Sequence, residues 1–449
     1  MSRRPKENIS KECIELIKSE VTKRFGREIK NTPDCVNLSD SIYSYTGQLI
    51  SYNTLRRFFG LIKNNTIINK TSLDILASYC GLSCFELLVN RKDKLDINEL
   101  NYYFINILNK NNINIKEIEL FCKEYGVYPQ IYSFLEKCLL FSQTNNDISF
   151  FKSFYTLPVI FDYAPNKRKY IFDIAQLYAN IIKSFSEDTK KEIISKIASL
   201  PKARQFYFEI FVDVDNITGF YSFVLEEYHK YSKLVSSLLF YYNLKVYKSF
   251  LIKDTELLKT SYDELKKLKF NEREVFPILP GRILASDIYY HKNFGSINKK
   301  DILSKAEKQL KIYGTKDNQA LLASQLYLIY IFQALQFCNE IDILSDLIKN
   351  INPAIFNISD YLTDNATNHL KIYHAHYFIY INEIRKAENV IDTISPKCFP
   401  LFEKITQTIS YNFMLKDYYQ ELGKQNMVCS IEENIKNYSK IKGFKAFEE

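Results

Sequence analysis

The chain has 449 residues, of which 46% are apolar and 25% are charged, and its formal net charge is +8. This apolar fraction supplies packed cores and excludes an intrinsically disordered chain, while the length predicts two or more structural units. Glycine is rare, with 11 residues in the whole chain. Helical proteins need few glycines, whereas phosphate loops and tight active-site turns need more. The composition therefore favours an all-α protein that is not an enzyme.

The positive charge is concentrated at the N-terminal end. Residues 1–95 contain 16 Lys and Arg against 10 Asp and Glu, a net charge of +6 that leaves only +2 for the rest of the chain. A basic first fifth on a nearly neutral body indicates a polyanionic partner at this end. Chance clustering of basic residues is the alternative.

The cysteines and the N-terminus bear on the compartment. The nine cysteines lie far apart, their count is odd, and no C-x-x-C pair occurs, so the sequence predicts neither a disulfide framework nor a zinc site. Reduced thiols are typical of a cytoplasmic protein. The segment "MSRRPKENIS" leads into no apolar signal-peptide core, and no run of about 18 apolar residues predicts a membrane span. We therefore expect a cytoplasmic protein without membrane contact.

The first predicted unit, residues 1–95, begins with three short helices. The first helix ends at Gly26, and the second, in "NLSDSIYSYTG", ends at Gly47. Ser51 is the predicted N-cap of the third, because its hydroxyl can accept from the free amides of the first turn. The apolar face of this third helix recurs at i, i+3, i+4 and i+7 and comprises Leu55, Phe58, Phe59 and Ile62.

Two further helices complete this predicted bundle. The fourth is predicted to begin at Thr71, with Asp74 as its capping-box partner, and to end at Gly81. Its inward face comprises Leu73, Leu76, Ala77 and Cys80. The fifth lies in "CFELLVN", and the charged segment "NRKDKLDINEL" is the predicted connector to the rest of the chain.

The second predicted unit, residues 96–449, has a uniform character with a further boundary near 277–281. Aromatic-rich helical segments recur near residues 240, 328, 378 and 413, and polar helices follow them, as in "RKAENVIDTIS". The spacing favours an α-solenoid of helical hairpins, with an irregular all-helical domain as the alternative. Most of the Tyr and Phe side chains are expected in the core, and the alternative is that some tyrosines line a peptide-binding groove.

The stretch "QLISYNTLRRFFGLIKNN" contains no acid, and none occurs between Asp40 and Asp74. On a helical wheel, the apolar face points inward, and the opposite half presents Asn and basic residues. Arg can bond a guanine edge with two hydrogen bonds, Asn an adenine edge, and Lys neutralises phosphate. A solvated helix face is the alternative. The predicted DNA-binding residues are Ser51, Tyr52, Asn53, Arg56, Arg57, Lys63 and Lys70.

The same stretch and the residues after it resemble a known family of domains. "ISYNTLRRFFG" followed by "SLDILASYCGLSCFELL" resembles the second half of a Cro/repressor-type helix-turn-helix domain, over about residues 35–90. Ser51, Thr54, Leu55 and Gly60 match the recognition-helix part of the pattern. The turn before Ser51 and the loop after Gly60 are longer than the pattern has, which puts the docking geometry in question. The segment is also similar to an N-terminal domain common in Bacteroidetes proteins, which implies no settled function.

The resemblance implies a function for the whole chain. A helix-turn-helix module followed by degenerate tetratricopeptide-like repeats is the layout of peptide-sensing regulators, and this chain is similar in outline. The implied function is a DNA-binding regulator of transcription whose repeat domain senses a peptide or a partner protein. The alternative is a protein–protein interaction scaffold whose N-terminal bundle binds no nucleic acid. The implied partners are double-stranded DNA and a peptide or protein, and a homodimer stays open.

Sequence motifs for catalysis or metal binding are absent. The segment "DVDNITG" lacks the glycine and closing glutamate of a calcium loop and predicts a polar turn. His369, His374 and His376 lie at spacings that suit one metal poorly, so satisfied or exposed histidines are expected. No phosphate loop, dinucleotide fingerprint or nucleophile elbow occurs. The sequence predicts no catalytic residue, no metal site and no cofactor.

Overall fold

The computed structural model describes residues 11–448 except 63–67, 83–84, 86–96, 109–112, 126–129, 159–160, 162–167, 273–274, 315–317 and 357–363. The described residues form helices and turns without a strand, which confirms the all-α fold. The chain divides into two compact units, residues 1–207 and 208–449. The predicted boundary at residue 95 lies outside the described residues and stays a prediction.

The first unit contains eleven helices in its described part. They are α1 (Lys11–Phe25), α2 (Thr32–Thr46), α3 (Tyr52–Phe58), α4 (Lys70–Tyr79), α5 (Ile97–Leu108), α6 (Ile115–Tyr125), α7 (Gln130–Thr144), α8 (Ile148–Ser153), α9 (Arg168–Ser184), α10 (Glu187–Ile197) and α11 (Pro201–Ala203). A π-helical turn, Arg204–Phe208, follows α11.

Helices α1 to α4 pack around one apolar core. Helix α2 packs against α3 and α4, and α1 packs against α4. The buried core side chains come from all four helices and include Ile17, Val21, Leu38, Ile42, Leu55, Phe58, Leu73 and Leu76. Among the described residues, this core holds α3 between side chains of α1, α2 and α4.

Local capping explains where these helices begin. The Ser51 hydroxyl accepts a hydrogen bond from the Thr54 amide at 3.2 Å, as the sequence predicts. Helix α2 begins about one turn earlier than predicted, because Asn31 caps it by accepting from the Asp34 amide at 2.9 Å. Asn69, rather than Thr71, caps α4.

Helix α3 is shorter than the predicted wheel. It ends at Phe58, and Gly60 adopts a left-handed conformation with φ of 75°. The Leu61 amide then bonds back to the Arg56 carbonyl at 2.8 Å, which closes the helix end. Phe59 and Leu61 pack against the core from this closing turn, so the predicted helical position of Ile62 is wrong.

The second unit contains eleven helices in its described part. They are α12 (Phe220–Lys230), α13 (Val235–Leu251), α14 (Thr255–Lys267), α15 (Ile278–Phe294), α16 (Lys299–Tyr313), α17 (Asn318–Phe337), α18 (Ile341–Asn350), α19 (Asp364–Tyr380), α20 (Ile384–Ile391), α21 (Lys404–Glu421) and α22 (Gln425–Lys442). The further boundary predicted near 277–281 falls at the beginning of α15.

Successive long helices of the second unit pack side by side. Helix α13 packs against α15, α15 against α17, α17 against α19, and α19 against α21. The intervening helices α14, α16, α18, α20 and α22 each pack against the long helix that precedes them. These pairs are helical hairpins, while an α-solenoid of tetratricopeptide-like repeats stays a prediction.

Helix α17 is the most apolar of the long helices. Its segment Gln319–Phe337 is long and apolar enough to cross a membrane, and 67% of it is buried inside the protein. Such burial is compatible with the core helix of a soluble protein.

Candidate nucleic-acid interface

The turn between α2 and α3 is fixed by one buried serine. The Ser39 hydroxyl on α2 donates to the Ile50 carbonyl at 2.6 Å, and Ile50 itself is buried. Gly47 ends α2 in a left-handed conformation with φ of 69°, where its amide bonds to the Tyr43 carbonyl. These contacts set the direction in which α3 leaves the turn.

Four of the predicted site residues lie on the surface. Ser51 and Tyr52 are exposed at the beginning of α3, Arg57 is exposed near its end, and Lys70 is exposed at the beginning of α4. Lys63 lies outside the described residues, so its predicted role is untested.

Asn53 and Arg56 form a half-buried pair instead of projecting freely. An Arg56 Nη1 donates to Asn53 Oδ1 at 3.3 Å, and the Arg56 Nε is buried without a hydrogen-bond partner. The guanidinium lies close enough to α2 to lower the pKa of the Cys35 thiol, although burial is the larger effect and raises that pKa overall. Arg56 is therefore held by a neighbour on its own helix, which the helical wheel did not predict.

Asp74 is the first acid that follows α3 in the sequence, and its carboxylate bonds away from α3. Asp74 accepts a hydrogen bond from the Phe85 amide at 2.8 Å, so its carboxylate stabilises the segment after α4 and not the first turn of α4. The predicted capping box with Thr71 is wrong for this reason. Helix α3 contains no acid, and Asp74, which follows it in the sequence, bonds to a backbone amide.

Helix α1 contributes basic side chains that the sequence reasoning missed. The Arg24 guanidinium lies 4.0 Å from the Tyr45 ring centroid and 5.5 Å from that of Tyr79, and it stays exposed. Lys18 lies 5.8 Å from the Phe58 ring centroid, so α1 passes beside α3. The excess of Lys and Arg over Asp and Glu in the first thirty residues could have indicated this contribution.

The second unit holds a buried polar chain next to a cavity. Gln336 Nε2 donates to the Ser410 carbonyl at 3.0 Å, which identifies the amide nitrogen, and it therefore also donates to His376 Nδ1 at 3.0 Å. The His376 proton then resides on Nε2, which donates to Asp417 at 2.7 Å. Asp417 is thereby held in a fixed orientation.

Asp417 lines a cavity of about 410 Å³ together with Tyr380, Asn382 and Glu421. The two acids that line it, Asp417 and Glu421, offer acceptors, and Tyr380, Asn382 and Gln420 offer neutral donors. Among the described residues, no group of three His, Cys, Asp or Glu side chains is placed to hold a metal ion.

Comparison of the chain with protein-family models, with curated proteins and with solved structures finds no match to any of them.

Proposed function

We propose that this protein is a DNA-binding regulator of transcription, in which α3 enters the major groove and the helical region after residue 96 senses a peptide or a partner protein. The observation that carries the proposal is α3 itself. It is held on a separate apolar core, contains no acid, and keeps Ser51, Tyr52 and Arg57 exposed. Such a helix meets phosphates without repulsion.

The dimensions of α3 suit a groove. An α-helix is about 10–12 Å across with its side chains, and the major groove of B-DNA is about 12 Å wide, so α3 fits it by diameter. Arg57 then reads a base edge or a phosphate, Lys63 and Lys70 neutralise the backbone, and Asn53 holds the Arg56 side chain in position. The Ser51 hydroxyl bonds to both the amide and the hydroxyl of Thr54, so a DNA contact would compete with these bonds.

The test is a DNA-binding titration of the full chain. Fluorescence anisotropy with a pool of mixed-sequence duplexes, repeated at several salt concentrations, gives both affinity and the number of released counterions. Arg57→Ala is expected to weaken binding by about 1–3 kcal/mol and to leave thermal stability unchanged. Arg56→Ala is expected to lower both affinity and stability, because the half-buried Arg56 side chain also bonds to Asn53. Lys63→Ala is expected to weaken binding to all sequences alike.

Arg385→Ala is the matched control, since Arg385 is an exposed arginine on α20 of the second unit. Unchanged DNA affinity in Arg57→Ala and Arg56→Ala, with the helical circular-dichroism signal intact, would remove the groove-binding assignment.

A protein-interaction scaffold is the second candidate, and one observation favours it. Large apolar side chains are exposed next to α3: Leu49 is 68% exposed, Tyr43 is 56% exposed and Tyr52 is 42% exposed. A partner protein could cover them, and the half-buried Asn53–Arg56 pair needs no nucleic acid. Absence of DNA binding at low salt, together with capture of a partner that Leu49→Ser abolishes, would select this candidate.

Sensing requires that binding of the peptide or partner protein is coupled to binding of DNA. A ligand changes DNA affinity only if its own affinity differs between the states of the protein, and the coupling is reciprocal, typically about 1–3 kcal/mol. Transcriptional regulation in the cytoplasm follows from this proposal.

A further inference from the structure

The cavity of about 410 Å³ lies where two neighbouring helices of the second unit end. Helices α19 and α21 pack side by side, and their last two turns supply most of the lining: His376, Ile379, Tyr380, Asp417, Gln420 and Glu421. Bonds join His369 to Glu403 near the helix beginnings and His376 to Asp417 near the helix ends, so the two helices run parallel. The cavity thus meets the negative ends of two helix dipoles and, through Ile341, the positive end of one, that of α18.

Two carboxylates line this cavity without a cation. Asp417 and Glu421 are four residues apart on α21, so they lie on one face of the helix and repel each other. Among the described residues, neither forms an ion pair with a lysine or an arginine. Lys416, the residue before Asp417, bonds instead to Glu432 at 3.4 Å. A positive charge in the cavity would therefore relieve a repulsion that the chain itself leaves in place.

His376 does not supply that charge. Its Nδ1 accepts from the Gln336 amide at 3.0 Å, so its only ring proton resides on Nε2 and is donated to Asp417 at 2.7 Å. The imidazole in this arrangement is neutral, and it is 2% exposed. It holds the Asp417 carboxylate in position at the cavity wall. A carboxylate has about four acceptor positions on its two oxygens, so Asp417 keeps acceptors for a ligand.

The neighbouring edge of the same unit shows the closed alternative. Between α15 and α17, the Lys292 ammonium bonds to the Glu340 carboxylate at 2.8 Å. The turns that follow α17 and α19 have the same left-handed residue, Asn339 with φ of 56° and Asn382 with φ of 60°. The fold therefore accommodates an internal ion pair at such an edge, whereas the acids between α19 and α21 face an open cavity instead.

Apolar side chains surround the two acids. Ile341 and Ile379 line the cavity itself. Around its edge, large apolar side chains remain in contact with water: Tyr380 is 53% exposed, Ile381 is 41% exposed and Leu422 is 38% exposed. Such walls suit the methylene stem of an amine or a guanidine, and an aromatic face can also contact the cation.

We propose that this cavity binds an organic cation, an alkylammonium or alkylguanidinium group, with Asp417 and Glu421 as its acceptors. Its volume of about 410 Å³ lies within the range of about 300–1,000 Å³ that is typical of ligand pockets. The cation reaches the site either as a free small molecule or as a Lys or Arg side chain of a peptide. The inference does not depend on DNA binding by α3, because all of its residues belong to the second unit.

The experiment uses calorimetric titration of the full chain with four probes of similar size: n-butylguanidinium, n-butylammonium, 1-pentanol and butyrate. The two cations are expected to bind and the neutral and anionic probes are not, because only a positive charge relieves the repulsion between the acids. Labelling with ¹⁵N-histidine locates the binding, since the His376 Nε2–H signal reports on its bond to Asp417. This signal is assigned by its loss in His376→Gln.

Two conservative variants remove the proposed acceptors. Glu421→Gln is expected to weaken n-butylguanidinium binding about tenfold, the typical effect of one hydrogen bond to a charged group. Asp417→Asn keeps an acceptor for His376 Nε2 and is expected to weaken binding by a similar factor. Glu433→Gln is the matched control, because Glu433 is an exposed acid of α22 outside the cavity and its replacement changes the net charge equally. The control is expected to bind as the wild type does.

Two capped peptides distinguish the sources of the cation. One contains a single arginine between leucines, and the other has citrulline, which is neutral and of similar shape, in place of the arginine. Tighter binding of the arginine peptide than of n-butylguanidinium supports a peptide side chain as the ligand. Equal binding supports a free small molecule, and in both cases the citrulline peptide is expected not to bind.

Three results would overturn the inference. A His376 signal that neither cation moves, without heat of binding, makes Asp417 and Glu421 ordinary surface acids. Equal binding of 1-pentanol or of the citrulline peptide excludes recognition of charge. Equal affinities in Glu421→Gln, Asp417→Asn and Glu433→Gln exclude the two acceptors. DNA affinity measured on the same samples separates the two proposals, because intact DNA binding without cation binding contradicts this site alone.

Discussion

The segment 214–216 provides a stability test that no local sequence pattern predicts. Asp215 lies in this short 3₁₀ turn, is 4% exposed, and accepts hydrogen bonds from the amides of Ile405 and Thr406 at 2.8 Å and 2.9 Å. It also accepts from the Thr406 hydroxyl at 2.9 Å. Since α21 begins at Lys404, Asp215 caps the N-terminus of a helix that lies almost 190 residues further along the chain.

The magnitude follows from the groups that Asp215→Ala leaves without an acceptor. A half-buried amide, a buried amide and a buried hydroxyl each lose a partner, at about 1–3 kcal/mol per group, and partial entry of water reduces the total. Burial raises the pKa of the Asp215 carboxyl more than its three hydrogen bonds lower it. Replacing Asp215 with Ala therefore also removes the free-energy cost of burying this carboxylate. We expect a net loss of about 3–5 kcal/mol for Asp215→Ala. Asp215→Asn keeps one acceptor oxygen and is expected to lose less.

The assay is amide hydrogen exchange of the full chain, read by mass spectrometry on peptides from α21, with urea unfolding alongside. Asp213→Ala is the control, because Asp213 bonds to Asn216 within its own turn. Faster exchange confined to α21 and its packing partners is expected for Asp215→Ala alone. Equal protection of α21 in the Asp215 and Asp213 variants would refute the capping role.

Two further predictions concern the core and the pH dependence. Phe58→Ala is expected to destabilise the α1–α4 bundle by about 3–5 kcal/mol, because Phe58 is buried beside Phe59 with ring centroids 5.1 Å apart. Unchanged hydrogen exchange in α1 to α4 would contradict this. Burial against Phe356 lowers the pKa of His374 from 6.5 to about 4. The unfolded chain therefore binds the proton first, and up to about 3 kcal/mol of stability is lost as the pH falls from 6.5 to 4. His374→Phe is expected to remove this loss of stability when the free energy of unfolding is measured by urea titration at several pH values. The same pH dependence in the variant and the wild type would exclude His374 as its source.

Features that depend on neighbouring residues could be predicted from the sequence. The Ser51 cap and the chain reversals at Gly26, Gly47 and Gly81 involve atoms within about four residues, so the local pattern contains all the information. The all-α fold follows from the same source, because helical periodicity and the scarcity of glycine act along the whole chain. The presence of exposed Arg57 on α3 was predicted in this way.

Interactions between distant segments could not be predicted. Asp74 follows Thr71 at capping-box spacing, yet Asn69 caps α4 and the Asp74 carboxylate accepts from the Phe85 amide eleven residues further on. "DVDNITG" has the composition of a polar turn, and only the packing of the second unit makes Asp215 a cap for α21. His369 bonds to Glu403, 34 residues away at the N-cap of α21, and His376 bonds to Asp417, 41 residues away on α21.

The sequence by itself determined the helices, their caps and the acid-free surface of α3, because backbone hydrogen bonding and side-chain periodicity are local. Tertiary structure alone decided that Asp215 caps α21, and that Arg282 lies buried beside Phe240 and Tyr330. The physical reason is desolvation. Whether a charged group lies in water or among aromatic rings depends on which helices pack together, and that is a property of contacts far apart in the chain.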